Sequence, residues 1–365
     1  MKFLTHIARI LVAITFIFSG FVKLVDPLGS AYKFQEYFGA DVLNLEFLIP
    51  YALPFSIFLI LVEIMLGLTL LVGYKPKVTV WSLLIIILVF LFLTWYSAYF
   101  DKVTDCGCFG DAITLTPWET FYKNIILVGL ILFLLLQTKH IKPVLSENLV
   151  KWVSFVSFLI FLFITYYVLQ HLPIIDFRPY AVGKNIPAGM EFPEEAQQPI
   201  YEDTWIYNVN GEDKEFTTAE KPWDIEGATF VDRKTKLIEK GYEPPIHDFT
   251  MEREDIDFTE LLMQNEKLML VVMYDISKIY KKVLPDVKEL TTQAMQNGYD
   301  VYAFSASKES DFAKVKAEFD LDFDLLFCDE TTLKTIIRAN PGIVTLNKGT
   351  VTGKWNATDA DKVKL

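Results

Sequence analysis

The sequence predicts a membrane α-helical bundle of four spans plus a fifth, followed by an α/β domain outside the membrane. Three observations predict it. Before residue 172 lie five apolar stretches able to cross roughly 30 Å of hydrocarbon, which takes about 20 residues of helix. Charge is divided: 11 Lys and Arg stand against 10 Asp and Glu up to residue 171, and 23 against 36 beyond it, in a chain of net charge −12. From Ile246 onward, apolar runs of strand length alternate with amphipathic runs of helix length. The first half implies a lipid bilayer as partner. The acidic second half excludes nucleic acid, whose phosphates need neutralising cations.

The spans fall at Phe3 to Val22, Tyr51 to Val72, Val78 to Phe100, Thr120 to Gln137 and Trp152 to Gln170. The first lacks a small-residue cleavage site and more spans follow, so it is expected to be retained. Lys123 interrupts the fourth, but Trp118, Phe121 and Tyr122 supply an interfacial belt, which keeps it as a span. Lys2, the loop with Lys75 and Lys77, and the loop with Lys139, Lys142 and Lys151 contain almost no acids, whereas the alternate loops are acid-rich. The positive-inside bias puts the N-terminus in the cytoplasm, and five spans then put the C-terminal part outside. All three cysteines, Cys106, Cys108 and Cys328, fall on that oxidising side.

The expected divisions are 1–140 for the four-span bundle, 141–171 for the fifth span, 172–245 for a linker with one or two strands, and 246–365 for the α/β domain. In the last, Lys267 to Tyr274, Asp300 to Ser305 and Phe323 to Cys328 read as strands. Lys278 to Asn297, closed by Gly298, Ser310 to Phe319 and Thr331 to Ala339 read as helices. Ile343 to Asn347 and Val351 to Trp355 flank a hairpin turn at Lys348, Gly349 and Thr350.

Two cysteines, Cys106 and Cys108, stand one residue apart in the stretch Asp105 to Asp111. A disulfide between them closes a small ring, departs from relaxed geometry and is easily reduced, and Gly107 supplies the backbone freedom. Asp105 and Asp111 act against this by disfavouring thiolate. A redox-active dithiol, a structural staple and half of a metal site stay open, although no Cys or His pair nearby completes four zinc ligands. Glu63 lies deep in the second span, where an ionisable group normally faces a bundle interior. Arg9 is its candidate partner, as a functional or a structural pair, or snorkels to the headgroups.

Two resemblances follow from these residues. Ile246 to Thr250, the strand Val271 to Tyr274, and Asn340, Pro341 and Gly342 at a cis-proline position resemble membrane-attached thioredoxin-like domains. The likeness implies a peptide-binding surface around Pro341. The redox pair of that superfamily should follow Tyr274, but Asp275 to Lys281 contains no cysteine. Cys328, at a strand end, reads as a small buried hydrophobe or as a partner thiol for the membrane loop. His247 beside Asp248 has no nucleophile motif and reads as structural.

Arg9, then Phe18 to Leu24, Asp26 and Pro27, resemble the first span of DoxX-type proteins, and Glu63 with Gly67 their second. The stretch Asp105 to Asp111, with Thr116, Trp118, Glu119 and Asn124, is similar to the methylamine-utilisation MauE branch. The resemblance implies a bacterial inner membrane, a periplasmic C-terminal domain, and a redox-associated role. That role includes thiol–disulfide exchange, quinone-linked electron transfer or maturation of a periplasmic enzyme. The alternative is a scaffold whose degenerate thioredoxin-like domain holds an extracytoplasmic client.

Overall fold

The computed structural model describes every residue except Asp101, Thr104, Asp105, Cys106, Glu194, Pro199, Asn210 and Lys240, and the side chain of Leu237. Among the described residues, five helices are long and apolar enough to cross a membrane: α1 (Lys2–Val25), α3 (Ala52–Val72, preceded by a 3-10 segment), α4 (Pro76–Phe100), α5 (Pro117–Leu136) and α6 (Glu147–Gln170). They match the expected spans within a few residues. Between α1 and α3 lies α2 (Pro27–Phe38), read in the sequence as loop. The Asp26 carboxylate caps α2 by accepting from Gly29 N, and Pro27 sits where its missing N–H is harmless. Thr116 and Glu119 form a reciprocal capping box at the start of α5. The bundle core contains Val12, Phe16, Leu70, Leu83, Ile87, Ile131 and Leu134, all buried, while Phe3, Leu88, Phe92 and Phe163 face outward as a lipid-facing surface requires.

Residues 184–249 form a compact unit of their own. It holds α7 (Ile186–Met190) and an antiparallel sheet of β1 (Ile200–Val209), β2 (Glu212–Thr217) and β3 (Thr229–Glu239) in the order β2-β1-β3. The expected linker with one or two strands is therefore a small three-stranded fold. Trp205, Tyr207, Trp223 and Phe230 pack edge to face across it. β3 was missed because Asp232, Arg233, Lys234 and Lys236 mask its strand character.

The rest of the chain, 1–183 with 250–365, is one compact unit. Its second half contains β4 (Glu252–Arg253), β5 (Ile256–Asp257), α8 (Thr259–Leu262), β6 (Leu268–Val272), α9 (Leu284–Gln296), β7 (Asp300–Ser305), α10 (Glu309–Phe319), β8 (Asp324–Phe327), α11 (Glu330–Ile336), β9 (Gly342–Asn347) and β10 (Thr350–Asn356). The sheet order is β10-β9-β6-β7-β8-β4-β5. β6, β7 and β8 run parallel, β9 is antiparallel to β6, and β10 closes a hairpin on β9. Met269, Val271, Leu284, Val287, Phe312, Leu325 and Ile343 make its core, and the Asn340–Pro341 peptide is cis. This mixed sheet is consistent with a thioredoxin-like fold. The helix expected from Lys278 starts at Leu284, after two short 3-10 turns.

Candidate functional site

α1 and α3 approach closely because glycines face β-branched residues. A Cβ on Gly20 would lie 2.7 Å from Ile64 Cβ, and one on Gly67 would lie 2.9 Å from the Ile17 backbone nitrogen. With Ile17 opposite Gly67 and Gly20 opposite Ile64, the α1 residue level with Glu63 stands near position 21. Glu63 is accordingly paired with Lys23, Nζ to Oε2 2.8 Å, and both are buried. Lys23 also donates to Ser19 Oγ at 3.1 Å, one turn back on the same face, and Ser19 donates to the Cys108 carbonyl at 2.6 Å. A hydrogen-bonded chain thus joins the cysteine loop to the buried acid.

Arg9 is not the partner of Glu63. It lies twelve residues from position 21, roughly 18 Å along the axis. Its guanidinium donates instead to the carbonyls of Leu70, Leu71 and Lys142 at 2.9, 2.9 and 3.0 Å. Those carbonyls include the unsatisfied end of α3. Gly73, at φ +79°, ends α3, and a Cβ there would meet Arg9 Nη2 at 2.7 Å. The sequence signal for the true pair was Ser19 and Lys23 at i, i+4 around Gly20; Lys23 read only as a charge of the loop after the first span.

In the cysteine motif, Cys106 and Asp105 lie outside the described residues. Cys108 is half-buried. Phe109 packs on Phe18, with Lys123 Nζ 4.1 Å above its ring, and Gly107 and Gly110 both adopt positive φ. Asp111 lies 3.7 Å from Arg338 Nη2, which comes from the loop after α11. Arg338, itself buried, makes its shorter contacts to Asp26 at the α1–α2 junction, Nε to Oδ2 2.9 Å and to Oδ1 3.2 Å. Burial alone would lower its pKa, but the charges of Asp26 and Asp111 and the Asp26 hydrogen bonds hold it above its ordinary value. Its guanidinium and Lys334 both stand over the ring of Tyr32 on α2. Burial, then the charge of Tyr274 and its hydrogen bond, pushes the Tyr32 hydroxyl well above the usual phenol range.

These contacts enclose a cavity of about 630 Å³ lined by the bundle (Lys23, Asp26, Tyr32, Lys33), the cysteine loop (Gly107, Asp111), the segment after α6 (Asp176, Arg178) and the α/β domain (Lys334, Arg338). Its size is that of a ligand pocket. A second, apolar pocket between α1, α2, α3 and α4 has Cys108 and Lys23 at its edge and holds only about 60 Å³. That is far below the several hundred Å³ of ordinary ligand sites.

At the place where a thioredoxin dithiol would stand, Asp275 caps a 3-10 turn, pairs with Lys278 at 2.7 Å, and offers its carbonyl to Asn340 Nδ2 at 2.7 Å. Hydrogen bonds occupy the position of the missing thiols. Pro341 is buried, with its carbonyl accepting from Ala357 N. Cys328 is fully buried, and burial pushes its thiol up to about 12, which removes thiolate at neutral pH. His247 and Asp248 form an exposed pair at 3.1 Å.

Residues 1–137 match the family described as methylamine utilisation protein MauE, and residues 201–240 match a domain of unknown function (DUF8463). Among curated proteins, Protein TlpB of Flavobacterium psychrophilum is 27% identical over 142 residues, an alignment covering 36% of this chain and 36% of that protein. The chain thus spans about a third of the length of this relative. The residues shared with the MauE resemblance have structural explanations: Gly20 and Gly67 close the α1–α3 contact, Asp26 caps α2, Thr116 and Glu119 cap α5, and Asn124 donates to Thr94 at 3.3 Å. The chain is a multi-pass membrane protein in which residues 1–137 match the MauE family model and the C-terminal mixed sheet is consistent with a thioredoxin-like fold.

Proposed function

We propose that this protein supports thiol–disulfide exchange outside the cytoplasm of a bacterial cell, with Cys106 and Cys108 as the exchanging pair and an extracytoplasmic protein as client. The N-terminus is cytoplasmic and the α/β domain periplasmic, on the charge bias of the loops. The observation that carries the reading is the chain from the Cys108 carbonyl through Ser19 and Lys23 to Glu63, which ties the motif loop to the only ion pair buried between spans among the described residues. The family likeness supports a redox-associated role in general. Exchange needs no further group: a thiolate attacks one sulfur, the other leaves as thiolate, and one disulfide forms as another is reduced. The cavity beside Gly107 is large enough for the cysteine-bearing segment of a client. Alkylation trapping in isolated membranes tests this. Cys106 and Cys108 should switch between blocked and reactive states as reductant is titrated, and Cys106→Ser should capture the client as a mixed disulfide through Cys108. A pair fixed in one state across the titration sinks the proposal.

A second reading, assembly without turnover, is favoured by the hydrogen-bonded Asp275–Asn340 arrangement in place of a dithiol. It expects the double variant Cys106→Ser, Cys108→Ser to keep full function. Burial of Pro341 weighs against the client surface expected around it.

A further inference from the structure

Arg338 belongs to a domain without a dithiol of its own, yet its guanidinium ends between two carboxylates of the other half of the unit, Asp26 and Asp111. We infer that Arg338 is a positioning residue for the cysteine loop: it neutralises Asp26 and Asp111 beside the Cys108 turn, so the reactivity of the loop thiol depends on docking of the thioredoxin-like domain. The inference deepens the exchange reading and rests on it for its biological purpose.

Three features of the geometry point this way. First, Arg338 is 7% exposed, so its charge is little screened. Second, the site is shaped around it. A Cβ on Gly29 would lie 2.6 Å from Asp26 Oδ2 and 2.9 Å from Arg338 Nη2, so a side chain at 29 would push on both ends of this pair. Third, the other charges around the loop are fixed by partners of their own: outside the bundle, Arg178 pairs with Asp176 at 2.7 Å and Lys334 with Glu330 at 2.8 Å. Lys23 on α1 is held by Glu63, Lys33 on α2 by Glu36 at 3.0 Å, and Lys123 on α5 stands over Phe109. Asp111 is the acid on the Cys108 side of the loop within the described residues, and Arg338 is the cation of the α/β domain that reaches it. An uncompensated Asp111 opposes thiolate formation; a compensated one does not.

The test uses the full chain in lipid nanodiscs with Cys106→Ser and Cys328→Ser, so that Cys108 is the only thiol and no exchange can occur. The pH at which Cys108 alkylation reaches half its maximal rate is the readout. Arg338→Gln should raise that midpoint by about half a pH unit, and Arg338→Lys should return most of the shift. Asp111→Asn, at a side chain 48% exposed, should lower the midpoint. In its background, Arg338→Gln should have less than half its effect. An Arg338→Gln shift of the same size with and without Asp111 overturns the inference, and so does a midpoint unmoved by Asp111→Asn. A native dithiol that never changes state overturns the exchange reading instead, since the single-thiol profile does not depend on it.

Discussion

Arg9 and Lys23 sit about four turns apart on α1, both buried, and bind opposite kinds of partner. Arg9 gives its guanidinium to three main-chain carbonyls at the end of α3 and in the α5–α6 connection. Lys23 gives its ammonium to side chains, Glu63 and Ser19, and through Ser19 reaches the cysteine loop. A planar, permanently charged fork suits several fixed carbonyls; a compact ammonium suits a titratable partner. The contrast separates a clamp that holds the bundle together from a pair wired to the motif. It recurs outside the membrane. Arg338 is held above its ordinary pKa between carboxylates, whereas burial, then the charge of Arg178, brings Lys354 down to about 8 despite its 2.6 Å contact with Asp176.

The most damaging way to break this comparison is Glu63→Leu, which leaves the Lys23 ammonium buried without its counter-charge. It should cost about 3–5 kcal/mol in detergent denaturation, and Lys23→Met combined with it should recover most of the loss. Arg9→Leu should cost about 2–3 kcal/mol through unsatisfied carbonyls, yet leave the rate of Cys108 alkylation unchanged. A change in that rate would erase the distinction between clamp and wired pair. For Lys354 the folded pKa lies below the unfolded value. Between about pH 8 and 10.4 the unfolded chain therefore binds more protons, and stability rises with pH. Relative to Lys354→Met, the native chain should gain about 2–3 kcal/mol across that window, read from its thermal midpoint. A flat difference would place Lys354 with the arginines. Ser19→Ala is the gentlest test. It should cost about 1 kcal/mol and speed amide hydrogen exchange at Gly107 to Asp111, leaving exchange around Gly73 as it was.

The spans were legible because apolar length is nearly all a membrane asks of a helix, and the bounds of α4 and α6 differ from the reading by only a few residues. The α/β strands were legible for a similar reason: β6 is Leu, Met, Leu, Val, Val with no polar interruption. Pairing between spans was not legible. Glu63 stands mid-span by hydropathy, but its level against α1 depends on where Gly20 and Gly67 let the helices touch, a property of the surface and not of the average. α2 escaped because its charges, Lys33 and Glu36, resemble those of a loop. Arg338 escaped because its partners, Asp26 and Asp111, are more than two hundred residues away, and in one dimension it is simply a cation near a helix end.

The junction at the end of α6 has a consequence for how often the domain meets the loop. The last carbonyls of α6, at Gln170 and His171, accept hydrogen bonds from Asn356 and Thr358, and His171 Nδ1 lies 2.7 Å from Asp359. The end of the fifth span is therefore held against the domain by side-chain hydrogen bonds, although the chain between Gln170 and Thr250 runs through the separate unit 184–249. That anchorage holds the docking face near the cysteine loop and so raises its effective concentration there. Contacts as few as those of Arg338 then suffice to keep it in place, and a client must compete with a tethered neighbour instead of with water.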